Sequence, residues 1–136
     1  MMALKAMRAA FGVNAEVVAG VLLPLTAMSE PEPDVMVLAS DLRRDIRRED
    51  VLLVVEVADT SLKSDQTVKA ALYARHGIPE YVLLDVTNRR LEIRRSPRPE
   101  HEDWRETIVL TDEGEFTPLS ASGSIRVADL LPDPEP

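Results

Sequence analysis

The chain has 136 residues, 45% hydrophobic and 29% charged, with a formal net charge of −8; this is the profile of one soluble domain over residues 1–131, with a disordered tail at 132–136. Cysteine is absent and there are two histidines, which excludes disulfides, thiolate zinc sites, a cysteine nucleophile and a histidine-built metal cluster. The acidity argues against nucleic-acid binding over the whole surface but leaves room for a local basic patch, and no stretch reaches the ~20 apolar residues of a membrane span, so the expectation is a cytoplasmic protein with no membrane partner.

"ALKAMRAAFG" reads as a short helix ended by Gly12. "AEVVAGVLLPL" is rich in Val and Leu and reads as a strand. "SEPEPD" is a proline-broken connection in which Pro33 forces Glu32 to be extended. "DVMVLA" is a second strand, and the polar "SDLRRDIRRED" is a loop with room for one helical turn. Its arginines Arg43, Arg44, Arg47 and Arg48, like Arg89, Arg90, Arg94, Arg95 and Arg98 further on, suit a solvated face balanced by neighbouring acids.

"VLLVVEV" is a near-continuous apolar run, the signature of a central strand covered on both faces. "KSDQTVKAALYARHG" reads as a helix from Ser64 closed by Gly77, with Val68, Ala71 and Leu72 turned to the sheet. "PEYVLLDV" follows at once as a strand, completing a βαβ unit. "NRRLEIRRS" and "DWRETIVLT" alternate as an antiparallel pair, and "IRVADLL" ends the domain with a helical turn.

Glu56 breaks the apolar run. A buried ionised carboxylate needs a cationic partner or a metal, because unpaired burial is costly. Asp34 stands at the mouth of one strand, Glu56 near the end of another and Asp65 at the start of the next helix. Ligands in open α/β sheets gather at the carboxyl ends of strands. If their strands are neighbours, Asp34 and Glu56 converge there and offer the hard oxygens that Mg²⁺ or Mn²⁺ prefers. Asp65, Lys69 and Tyr73 share a helix face by their spacing of four. Lys69 on that face suits a phosphate or a water beside the metal. Each residue also has a plainer reading. Glu56 suits an ion pair with an arginine, Asp34 a turn, Lys69 a one-turn pair with Asp65, and Asp65 the helix dipole. Tyr73 reads as packing, and Trp104 as core or interface.

The ordered set "EPDVMVL … VLLVVEV … D…K…Y…GIPEY", carried by Asp34, Glu56, Asp65, Lys69, Tyr73, Gly77, Ile78, Pro79, Glu80, Tyr81, Val82 and Asp85, resembles the PD-(D/E)XK superfamily. More narrowly, it resembles a bacterial family of small restriction-endonuclease-like proteins. The resemblance runs from Ala15 to Leu131. It implies an α/β fold, a mixed central sheet flanked by helices, and a Mg²⁺-dependent endonuclease that acts on DNA as a homodimer. It makes Asp34 the "PD" aspartate and Glu56 the acid of "(D/E)XK". Val57 lends its carbonyl to the metal, and Asp65 is a possible additional ligand. The third motif position is Ala58 rather than lysine, so Lys69 takes over the lysine's role. Family members carry a further segment ahead of the first helix. An N-terminally truncated fold is therefore expected, with an open sheet edge that a second subunit covers. The alternative from another class is a catalytically inactive nuclease-fold interaction module.

Overall fold

The computed structural model describes residues 2–39, 45–58 and 63–133, the last with side chains from Gln66 onward. Helix α1 (Met2–Phe11) presents Ala3, Met7, Ala10 and Phe11 as one buried stripe, the spacing of an amphipathic helix. It stops where Gly12 takes φ 64°, a left-handed conformation that glycine adopts without a Cβ penalty.

Among the described residues, one six-stranded sheet runs in the order β1 (Glu16–Ala19), β2 (Val35–Leu38), β3 (Val51–Ala58), β4 (Glu80–Asp85), β5 (Arg90–Arg98) and β6 (Asp103–Thr111). The sheet is mixed: β3 and β4 are parallel, joined through helix α2 (Lys63–Arg75), and the other neighbours are antiparallel. A two-stranded ribbon of β7 (Glu115–Phe116) and β8 (Ile125–Arg126) closes over α1. The α/β architecture, the buried β3 and the β5–β6 pair are as the sequence patterns predict.

The sheet separates two apolar layers. On one face Val35, Val37, Leu53, Val55, Val82, Leu84, Leu91 and Ile93 pack with α1 and the ribbon. On the other, Met36, Leu38, Val54, Tyr81 and Leu83 pack with Leu23, Tyr73 and Ile78. Alternation along β3 puts Glu56, two residues after Val54, on the α2 side.

Two details differ from the sequence reading. Strand β1 ends at Ala19, because Gly20 takes φ 62° and turns the chain. "VLLPL" then runs as a loop whose backbone bonds close a tight turn at Thr26–Ser29 and bury Leu23. Second, Val68 is 64% exposed; α2 meets the sheet through Ala70, Tyr73 and Ala74 instead. The Lys69/Tyr73 side is therefore the inner side. The 3₁₀ turn at Arg48–Asp50 is the helical turn for which the sequence leaves room before β3. Arg43 and Arg44 lie outside the described residues, as does the tail beyond Asp133.

Candidate active site

Pro33 and Asp34 lead directly into β2, and the antiparallel register sets Val35 against Val55. Asp34 therefore lies beside Glu56, one step past the last paired residues. The two acids are joined through backbone amides. The Asp34 N–H donates to Glu56 Oε1 at 3.0 Å, and the Val57 N–H donates to Asp34 Oδ2 at 2.7 Å. This reciprocal clasp needs both strands in register, so the sheet itself fixes the two carboxylates.

Lys69 completes the group. Its ammonium is 2.9 Å from Glu56 Oε2. Glu56 is only 5% exposed, whereas the Lys69 side chain is 43% exposed at the rim. Burial is the largest influence on Glu56 and pushes its carboxyl above the usual range; the Lys69 hydrogen bond, the Asp34 amide and the Lys69 charge pull it back, and the Asp34 charge adds to the rise. The cationic partner that the apolar run demands is thus a lysine from the following helix rather than an arginine.

Val57 offers a third oxygen. The Ala58 carbonyl accepts from Val86 across the β3–β4 boundary at 2.9 Å. Consecutive strand residues direct their polar groups to opposite sides, so the Val57 carbonyl lies toward β2, the side on which its own amide meets Asp34. Asp34 Oδ1 has no hydrogen-bond partner among the described residues. Asp65 falls in α2, but its side chain lies outside the described residues.

Two carboxylates and a strand carbonyl are an oxygen donor set of the kind that fits Mg²⁺ or Mn²⁺. Among the described residues, no group of three or more His, Asp or Glu side chains is placed to hold a metal. Asp34, Glu56 and the Val57 carbonyl would by themselves make only a partial coordination sphere. Magnesium commonly accepts such sites, with waters and substrate phosphates completing the shell.

Tyr73 sits one turn beyond Lys69 on the same side of α2. It is fully buried, its ring centroid 5.1 Å from that of Tyr81, and its hydroxyl has no hydrogen-bond partner among the described residues. Burial, then the Glu56 charge, drives its ionisation far upward. Trp104 donates from Nε1 to the Ala70 carbonyl at 3.0 Å, so the lone tryptophan anchors α2. Asp85 is spent on the turn after β4, accepting from the Asn88 amide and side chain. Sequence reasoning missed the use of Asp34's own amide. Backbone donors carry no residue signature, and only the strand register reveals this one.

A buried glutamate beside a half-buried aspartate at the open end of a mixed sheet, with a lysine reaching in from the following helix, belongs to a nuclease-like α/β fold of the PD-(D/E)XK type. A family model described as "Putative restriction endonuclease", Uma2, matches residues 5–128, and the chain belongs to that family. A solved structure from Anabaena variabilis, titled a "putative nuclease belonging to DUF820", superposes with TM-score 0.71 at 15% identity, covering 94% of this chain and 75% of that one. A search of curated proteins finds no match. Among the described residues, no helix is long and apolar enough to cross a membrane.

Proposed function

We propose that this protein is a Mg²⁺- or Mn²⁺-dependent endonuclease that hydrolyses DNA phosphodiester bonds in the cytoplasm, acting as a homodimer. The observation that carries the reading is the meeting of Asp34, Glu56 and Lys69 at one strand end. Asp34, Glu56 and the Val57 carbonyl would hold the cation. When bound, it would supply Lewis-acid polarisation of the phosphate and a lowered pKa for the attacking water. Asp34 and Glu56 hold their positions through the amide clasp, which limits reorganisation during reaction. Lys69, exposed at the rim, binds a phosphate oxygen or orients the water with its Nζ protons. Two copies of the site would serve the two strands of a duplex.

The test pairs cleavage with binding. Plasmid, single-stranded DNA and RNA are incubated with wild-type protein and with Asp34→Ala, Glu56→Ala and Lys69→Ala, in Mg²⁺ or Mn²⁺. Circular dichroism checks the folds, and Mn²⁺ binding is followed by calorimetry. The expected result is nicking of plasmid by wild type and loss by at least 100-fold in each variant, on the scale of removing one transition-state donor. Cleavage undiminished in Glu56→Ala sinks the reading. A second reading, a catalytically silent interaction module on the same fold, is favoured by the net charge of −8 and the absence of a third acid among the described residues. Calorimetry without Mn²⁺ heat in the wild type supports it.

A further inference from the structure

At the far end of α2 from its first turn, a pocket of about 330 Å³ opens where three segments meet: the 3₁₀ turn before β3, the end of α2 and the 3₁₀ turn Pro99–His101 between β5 and β6. Its lining is Arg48, Arg75, His76, Gly77 and Pro99, which brings three nitrogen bases and no acid to one concavity. Arg75 gives Nε to Glu102 at 3.0 Å, and its terminal N–H groups have no protein partner among the described residues. Arg48 is exposed, and its guanidinium has no acid or carbonyl partner among the described residues. Its Nη1 lies over the helix end, 3.6 Å from where a Cβ on Gly77 would sit. The acids of the neighbouring turns, Glu49, Glu100 and Glu102, are exposed.

Basic side chains at a helix end commonly serve its last carbonyls. Here Leu72, Tyr73 and Ala74 already accept from the His76, Ile78 and Gly77 amides, so that role does not account for Arg48. Burial lowers the His76 pKa, and the Arg75 and Arg48 charges lower it further. Like charges gathered without a counterion, on a chain of net charge −8, repel one another until an anion enters. We propose that the pocket formed by Arg48, Arg75 and His76 is a phosphate-binding site, separate from the Asp34/Glu56/Lys69 group. Planar guanidinium forks match phosphate oxygens, and an imidazole adds a directed N–H. The phosphate comes from a small phosphorylated molecule or from a nucleic-acid strand, since both offer the same oxygens.

The chain's two histidines, His76 and His101, make proton NMR of the imidazole rings a direct readout. Wild type, Arg48→Ala and Arg48→Gln are titrated near neutral pH with inorganic phosphate, adenosine monophosphate or a short DNA duplex in EDTA, each against sodium chloride at matched ionic strength. Arg126→Ala, at an exposed arginine paired with Asp129, is the control, and thermal melts verify every fold. The expected result is a saturating shift of the His76 signal toward the protonated form. The affinity behind it should be about tenfold weaker in both Arg48 variants, the scale of one charge-assisted hydrogen bond, and unchanged in Arg126→Ala. A tighter response to duplex than to the two small phosphates supports the site and assigns it to a nucleic-acid strand; an equal or weaker one supports it and assigns a small molecule. A His76 shift that sodium chloride reproduces, or wild-type affinity in the Arg48 variants, overturns the proposal and leaves the nuclease reading untouched.

Discussion

The carboxylate of Glu56 and the ammonium of Lys69 form one ion pair with unequal exposure, and their removal should have unequal consequences. Taking away Lys69 strands a buried charge; taking away Glu56 leaves a lysine that can turn to water. Lys69→Met should therefore lose about 1–3 kcal/mol at neutral pH, the cost of an unsatisfied buried group, and Glu56→Gln should be neutral or slightly stabilising. Chemical denaturation of both variants checks this, and an equal loss in the two contradicts it. The pH dependence follows from the raised carboxyl. The folded state keeps its proton at Glu56 when the unfolded chain has released it, so this group favours folding at low pH. That contribution fades as pH climbs from the ordinary value of 4.5 through the raised one. Stability measured across this window should fall more steeply in wild type than in Glu56→Gln. Glu56 is legible in the sequence because an acid interrupting an apolar strand demands an explanation, and Asp34 because it follows Pro33 at the mouth of a strand. The partner of Glu56 is legible only through a helix spacing of four, which gives Lys69 without saying which way it faces.

Helix α2 shows why that direction is hard to read. An apolar stripe at Val68, Ala71 and Leu72 is the obvious inner face, yet Val68 projects into solvent. The small Ala70 and Ala74 allow close approach to the sheet, and Tyr73 fills the space between helix and strand. Packing geometry thus overrides the count of apolar residues. The end of α2 is fully legible. Gly77 takes φ 69°, its amide donates to Ala74 and the Ile78 amide donates to Tyr73, the paired bonds of a Schellman cap with Ile78 as its apolar contact. A Cβ at Gly77 would meet nothing closer than Arg48 Nη1 at 3.6 Å, so Gly77→Ala tests backbone conformation rather than space. It should cost about 1–2 kcal/mol, read from the denaturation midpoint, while Val68→Lys should stay within about 0.5 kcal/mol of wild type. The run "VLLPL" misleads for a related reason: its apolar residues serve a loop that buries Leu23, and the break is set by Gly20.

At the scale of the molecule, the acid that secures the architecture is Glu80. It is 1% exposed and accepts from Arg95 Nε at 2.7 Å and from the Leu119 amide at 2.9 Å. Arg95 also donates to the Thr117 carbonyl. One carboxylate thereby ties β4, β5 and the segment after β7 together. Glu80→Ala should cost about 3–5 kcal/mol, the range for breaking a buried ion pair, and a melting temperature close to wild type contradicts that role. The "IPEY" stretch is conspicuous in the sequence, but the tie to residues 117–119 is not, since it joins segments with no shared pattern.

The large sheet lists its strands in the order in which they are synthesised. Asp34 and Glu56 belong to its earlier half, Lys69 to the helix that leads into β4, and β4 supplies the last neighbour that β3 requires. A nascent chain that has emerged only as far as Asp85 already carries every group of the catalytic proposal. The final hairpin then supplies the anchor of α2, Trp104 on β6, so a chain cut after Asp85 should hold all three groups yet show lost hydrogen-exchange protection across α2.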